Sequence, residues 1–332
     1  MVEIINALLL VFMSVIALAI VRQHNLFAVV MLGSAFSLLS AGMFVMLDAV
    51  DVAFTEAAVG AGISTILMLG VLSLTHSRER LPMNVPVLPL IVVVAAGAAL
   101  IYGALGMPAF GTADAPIHGH VAPRYILQSG TEVGLPNIVT SILASYRGFD
   151  TLGEVVVIFT AGIGVMLLLG LRQRVGDDGS LEEPPEPGQG HLRHHLILRV
   201  LAKPLIPFVL LFALYVQFHG DFGPGGGFQA GVIFAAAFVL YALVFGLKNA
   251  RQVVPEGVTR FLIAAGVLLY AGVGVASLVM GGNYLDYSVL AHEPTHGQHL
   301  GIILIEFGVG TTVAAVMITL FFSFARRSRK KS

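Results

Sequence analysis

The sequence predicts an all-α integral membrane protein of about nine transmembrane helices. Three observations carry this. Of 332 residues, 57% are hydrophobic and only 11% are charged, whereas a soluble domain carries about 25% charged residues. Nine runs come close to the roughly 20 apolar residues that a spanning helix needs. The basic residues fall almost entirely into alternate loops.

The nine runs cover residues 4–21, 26–47, 55–75, 84–107, 152–171, 200–218, 228–247, 259–280 and 300–324. The first is a retained helix and not a cleaved leader: Glu3 precedes it and Arg22 follows it, the reverse of a basic n-region with a small-residue cleavage site. Leu135–Tyr146 is shorter and mixed. It is either a helix at the interface or packed in a loop, or a tenth span, with length favouring the former.

Loop charge sets the orientation. With the N-terminus outside and the C-terminus inside, sixteen of the eighteen Lys and Arg lie inside, and only Arg124 and Arg147 lie outside. An extra span would invert half of the loops. Residues 173–198 hold Asp177, Asp178, a Glu/Pro-rich run and three histidines. They form a polar inner linker between a five-helix and a four-helix half. Residues 108–134 make a long outer loop. No internal repeat is evident, so an inverted-repeat transporter is not signalled.

Composition excludes several functions. There is no cysteine, which removes disulfides, iron–sulfur ligation and thiol catalysis by this chain. Basic residues form no surface that tracks phosphates, so nucleic acid is not a partner. His292 and His296 stand four apart, but Pro294 lies between them and argues against a helical metal pair; no metal is expected. No nucleophile elbow, paired catalytic acid or cofactor fingerprint is present, so neither catalysis nor a cofactor is expected.

A carboxylate in a spanning helix is costly and marks function by default. Glu56, preceded by Thr55, stands at the outer start of the third run. Asp150 and Glu154 stand at the outer start of the fifth, four residues apart and so on one helix face. Glu306 lies seven residues past His299, about 10 Å deeper at 1.5 Å per residue. With Asp221 these acids all fall in the outer half, as an acidic mouth that would concentrate cations. The alternative is that acids such as Asp150 and Asp221 sit hydrated at helix starts and favour the positive end of the dipole. His219, beside Asp221, is either a proton relay or a structural hydrogen-bonder.

The most specific string runs from Phe218 to Gly231 and joins the sixth and seventh runs outside. It includes Gly223, Pro224, Gly225, Gly226, Gly227 and Phe228, with five glycines in the nine residues 220–228. Such glycines permit positive φ and close backbone approach. They either expose N–H groups to an anion or leave room for tight helix packing.

Three stretches carry a family resemblance. Asp51-Val52-Ala53-Phe54-Thr55-Glu56-Ala57-Ala58-Val59-Gly60 resembles the MbhD-like segment near the C-terminus of MrpA. Tyr146-Arg147-Gly148-Phe149-Asp150-Thr151-Leu152-Gly153-Glu154 resembles the MbhE-like segment that follows it. Residues 200–325, with the glycine hairpin, resemble MrpB; Ala230 departs from that pattern, where glycine is expected. The chain is thus similar to subunits of Mrp-type cation/proton antiporters and of membrane-bound hydrogenases. The resemblance implies four parts: an MbhD-like segment at 1–80, an MbhE-like segment at 81–172, the linker at 173–198 and an MrpB-like part at 199–332. It implies an accessory subunit of a multi-subunit Na+ (or other monovalent cation)/H+ antiporter in the inner membrane. Its partners would be other membrane subunits, a large proton-channel subunit among them, with monovalent cations, protons and the lipid bilayer. It also implies that Glu56, Asp150 and Glu154 line an ion path; Glu306 rests on its depth alone. The rival readings are the same module in a redox-driven complex, and a scaffold whose acids only hold helices together.

Overall fold

The computed structural model describes residues 2–73, 75–79, 87–109, 111–170 and 196–328. Among these residues nine helices are long and apolar enough to cross a membrane. They are α1 (Val2–Arg22), α2 (Leu26–Met46), α3 (Val50–Leu72), α4 (Val87–Leu105), α5 (Gly148–Leu169), α6 (Leu196–His219), α7 (Gly227–Phe245), α8 (Glu256–Val279) and α9 (Pro294–Ala325). The linker expected at 173–198 lies outside the described residues up to 195, and α6 takes up its last three.

Several helices begin earlier than hydropathy alone places them. Helix α3 starts at Val50, so Thr55 and Glu56 lie inside it and not at its start. Helix α9 starts at Pro294. The proline that argued against a helix occupies the first helical position, where the missing N–H costs nothing. His292 therefore precedes the helix that holds His296, and the two do not share a helix face.

Helix α9 is the axis of the bundle. Its apolar window is 61% buried and that of α7 is 50%, whereas α1 and α4 bury no residue. Helices in lipid gain little from hiding apolar surface and associate through close packing, which small residues permit. The glycines of α7, α8 and α9 serve this. A Cβ on Gly231 of α7 would stand 2.6 Å from the Gly310 carbonyl oxygen of α9. One on Gly308 of α9 would stand 2.7 Å from the Gly266 carbonyl of α8. Gly162 of α5 faces Val316 of α9 in the same manner.

The third span is not a uniform α-helix. From Ala57 to Ile63 it widens into a π-helix, a form that accommodates one extra residue and leaves its carbonyls poorly placed for ordinary pairing. Hydroxyls take them up. Ser64 Oγ bonds the Val59 carbonyl, Thr65 Oγ1 donates to Ala61 O at 3.2 Å and Ser34 Oγ of α2 donates to the same oxygen at 3.1 Å. Such satisfaction is required where no bulk water reaches.

Between α4 and α5 the chain forms short helices at Pro116–Gly119 and Ala122–Glu132, and a turn of helix from Ile138 that continues as π-helix to Tyr146. Of the two placements expected for the last of these, at the interface or packed in the loop, the structure shows the packed one: Asn137, Thr140, Ser141 and Ala144 are buried. Two buried tyrosines pin it. Tyr287 Oη donates to Ala144 O at 3.1 Å and Tyr270 Oη to Gly148 O at 2.7 Å.

The α7–α9 contact yields a direct prediction. Gly231→Val forces a side chain against backbone and should destabilise the folded chain by about 1–3 kcal/mol. Gly272→Ala in α8, with open space at its Cβ, should leave stability unchanged or raise it by up to about 1 kcal/mol. Thermal unfolding of the purified protein in detergent checks both.

Candidate functional site

The glycine hairpin is residues 220–226, between α6 and α7. It is held by backbone approach. Gly226 N–H donates to Val216 O at 3.0 Å, and Gly226 has φ +117°, a conformation that glycine adopts freely. A Cβ at Gly225 would lie 2.7 Å from Val216 O, and one at Gly220 2.9 Å from the Gly226 Cα. Asn137 closes the hairpin from outside: its Nδ2 donates to the carbonyls of Gly220 and Gly223, each at 3.0 Å. Thr140 Oγ1 adds a bond to Gly220 O at 2.6 Å. These oxygens are thereby committed, and the hairpin is rigid.

Glu306 of α9 faces this hairpin. Its Oε1 lies 3.0 Å from where a Cβ of Gly226 would stand, and its Oε2 3.3 Å from that of Gly220. The missing side chains make the space for the carboxylate. Glu306 also stands at the N-terminal end of α7, which no side chain caps and whose positive end favours an anion. Asp221 directly follows Gly220, which Glu306 faces. No Lys or Arg pairs with Asp51, Asp221 or Glu306 among the described residues.

Gln229, two residues into α7, is 8% exposed, and its Nε2 donates to Thr55 Oγ1 at 2.8 Å. Thr55 in turn donates to Asp51 O at 3.0 Å. The bond joins α3 to the hairpin. Asp221 is buried, and its Oδ2 meets Nε2 of His299 at 2.7 Å.

Of the residues expected to matter, Thr55, Asp221 and Glu306 are brought to one place by the hairpin. Glu56 faces another way: its Oε1 and Ser37 Oγ both lie 2.6 Å from the Cβ position of Gly60, so it lies along the π-helix against α2. Asp150 and Glu154 are exposed on α5, and Asp150 pairs with Arg147 at 2.6 Å. His219 does not pair with Asp221. Its ring stacks on Tyr215 at 4.9 Å, with Nε2 2.9 Å from the Cβ position of Gly223. His299 takes the place beside Asp221 that sequence adjacency suggested for His219. Pro224 is exposed and Phe228 half-buried against the core.

Gln229, Asn137 and His299 were not among the expected residues. A polar residue two positions past the glycines marks Gln229. Asn137, directly before Ile-Val-Thr, carries a helix-cap signal and does cap, accepting from Val139 N–H at 2.9 Å.

In the segment between α4 and α5, Arg124 grips Glu132 through Nη2 at 3.1 Å and Nε at 3.3 Å, and the Tyr146 hydroxyl also donates to Glu132. That hydroxyl first, and Arg124 second, hold the Glu132 carboxyl below the usual carboxylate range. Burial, with the Glu132 bond, pushes the Tyr146 phenol up to about 12.

Fold and site together define a polytopic helical membrane protein with a carboxylate held in its interior over a glycine hairpin. Three families match in series along the chain. Residues 11–77 match MbhD, the D component of MBH, and residues 88–185 match MbhE, its E component. Residues 197–319 match MnhB, the domain related to the MnhB subunit of Na+/H+ antiporter. The putative antiporter subunit mnhB2 of Staphylococcus haemolyticus is 31% identical over 133 residues, which cover 39% of this chain and 94% of that protein. The probable A/B subunit of a K(+)/H(+) antiporter from Rhizobium meliloti is 27% identical over 92% of this chain and 32% of its own length. A chain of the Mrp complex from Dietzia sp. DQ12-45-1b superimposes with a TM-score of 0.74 at 25% identity, over 98% of this chain and 35% of that one. The membrane-bound sulfane sulfur reductase, an archaeal respiratory membrane complex, gives 0.53 at 26% identity, over 71% of this chain and 96% of the matched one. This chain belongs to the Mrp-type antiporter subunit family, joining MbhD-, MbhE- and MnhB-related segments in one polypeptide. It spans about a third of the Rhizobium and Dietzia proteins.

The Glu132 network has a pH signature. A carboxyl lowered in the folded state contributes order that is complete above its unfolded value of about 4.3, and that is lost as pH falls through the lower folded value. Tyrosine fluorescence, unobscured because the chain has no tryptophan, should be flat from neutral pH to about 4.5 and change below that. Glu132→Gln should remove that change.

Proposed function

We propose that this chain is an accessory membrane subunit of a multi-subunit antiporter that exchanges a monovalent cation, Na+ or K+, for protons. The chain lies in the inner (cytoplasmic) membrane with its N-terminus outside and C-terminus inside, which puts the glycine hairpin on the outer side. The four-part division at residues 80, 172 and 198 belongs to the same reading. So do its partners: other membrane subunits, including a large proton-channel subunit.

One observation carries this reading. Glu306 stands inside the bundle over glycines, without a counter-charge among the described residues. A carboxylate left unpaired within a membrane is costly for a role of packing alone. The Staphylococcus and Rhizobium relatives named as antiporter subunits support the exchange reading, and the Mrp complex supports assembly with other subunits. Two groups of acids then divide the task. Glu306 with Asp221 and Thr55 forms an inner cluster. Glu56 lies apart from it against α2, and Asp150 and Glu154 are exposed on a face that other subunits would cover. His219, stacked at the hairpin edge, belongs to the entrance.

The test is Glu306→Gln in the assembled complex, reconstituted in vesicles. Removing the charge should lower cation/proton exchange at least about tenfold, as expected for a group that acts in the transport step, with subunit composition unchanged. Full exchange by a correctly assembled variant would overturn the reading.

A further inference from the structure

The amide of Gln229 has a fixed orientation, and that orientation has a chemical consequence. Thr55 has one hydroxyl proton, and it is directed to Asp51 O at 3.0 Å. Thr55 Oγ1 can therefore only accept from Gln229, at 2.8 Å, which requires the amide to present its NH2 group. The amide oxygen is turned the other way. It lies 3.7 Å from the Cβ position of Gly226, the same point that Glu306 Oε1 approaches to 3.0 Å. Gln229 is more than nine-tenths buried, and its oxygen accepts no hydrogen bond among the described residues.

A carboxylate oxygen and an amide oxygen thus both border the space cleared by Gly226. Two acceptors facing each other repel unless something positive or a proton lies between them. Hard cations take oxygen ligands of this kind. Asp221 adjoins Gly220, which Glu306 faces, and Asp51 lies one turn before Thr55, while Asn137 and Thr140 occupy the carbonyls of Gly220 and Gly223 that would otherwise compete as ligands.

We propose that Glu306 and the Gln229 side-chain oxygen form a binding site for a partly dehydrated monovalent cation, Na+ or K+, in competition with a proton on Glu306, and that Thr55 is the positioning residue that sets the amide. In one state the protonated Glu306 donates to the Gln229 oxygen. In the other the proton has left to water and the cation bridges carboxylate and amide. The two states exclude each other at one site, which is the condition for exchange. The inference rests on the antiporter reading and deepens it.

The test is the cation dependence of exchange by the assembled complex in vesicles, with NaCl or KCl as the varied salt. Gln229→Leu keeps the bulk and removes the oxygen. It should raise the half-saturating concentration of the transported cation about tenfold while the rate at saturating cation changes far less, the mark of a lost binding contact. Thr55→Val should give a smaller rise in the same direction, and Thr55→Ser should restore the original value. Gln229→Asn, which keeps the amide but withdraws it by one methylene, should also raise the half-saturating concentration, and it decides the matter if the leucine variant does not assemble. An unchanged cation dependence in these variants overturns the assignment. If Glu306→Gln has abolished exchange while the Gln229 variants bind cation normally, only this site fails. If Glu306→Gln exchanges normally, the antiporter role of Glu306 fails with it.

Discussion

The contact between the backbones of α7 and α9 is the constraint on which the rest of the structure depends. Gly227 and Gly231 bring α7 so close to α9 that a single added carbon would meet the carbonyls of Glu306 and Gly310. In a membrane this closeness is what holds helices together, because apolar surface is equally at home against lipid. The same contact fixes where Glu306 stands. Its side chain leaves α9 at the level where α7 begins, and it occupies the volume above Gly220 and Gly226. The hairpin must then be glycine for two independent reasons: the turn needs φ +117° at Gly226, and the carboxylate needs the space.

Around this contact the polar groups are arranged by elimination. Asn137 and Thr140 bond the carbonyls of Gly220 and Gly223, His299 meets the buried Asp221, and Thr55 accepts one Gln229 amide hydrogen. Among the groups left without a hydrogen bond in the described residues are the Glu306 carboxyl and the Gln229 amide oxygen. A membrane interior penalises polar groups without partners, so their facing the same space is informative. The π-helix in α3 shows the opposite case: an irregular backbone whose carbonyls are met by the hydroxyls of Ser34, Ser64 and Thr65.

Much of the fold was legible in the sequence. Nine apolar runs gave nine helices among the described residues, because length and hydropathy are what a bilayer selects. Helix starts were misplaced where polar residues occupy the first turns, as at Val50 and Pro294, because hydropathy registers the apolar stretch and not the hydrogen-bonded end. Glu306 was visible as the deepest acid, and the hairpin as five crowded glycines. The pairing was not visible. That Asp221 meets His299, 78 residues away, and not His219 two positions earlier, follows from how α9 packs, and local spacing carries no trace of it. Gln229 was hidden for a related reason: its meaning comes from Thr55, 174 residues away on another helix. The π-helix was equally unreadable, since glycines and hydroxyls at 60–65 fit a plain helix as well.

Everything proposed for Glu306 requires it to lie in a polar pocket entered from the hairpin side. Because the chain has no cysteine, a thiol introduced at this position is the only one on it and can be followed on this chain after labelling of the assembled complex. The decisive measurement is the rate at which Glu306→Cys reacts with a small, water-soluble, cationic thiol reagent added to one membrane face at a time. Reaction is expected from the hairpin face, and none from the opposite face. A thiol that reacts only with membrane-permeant reagents would place Glu306 in contact with lipid or sealed helix packing, and would contradict a cation pathway through this site.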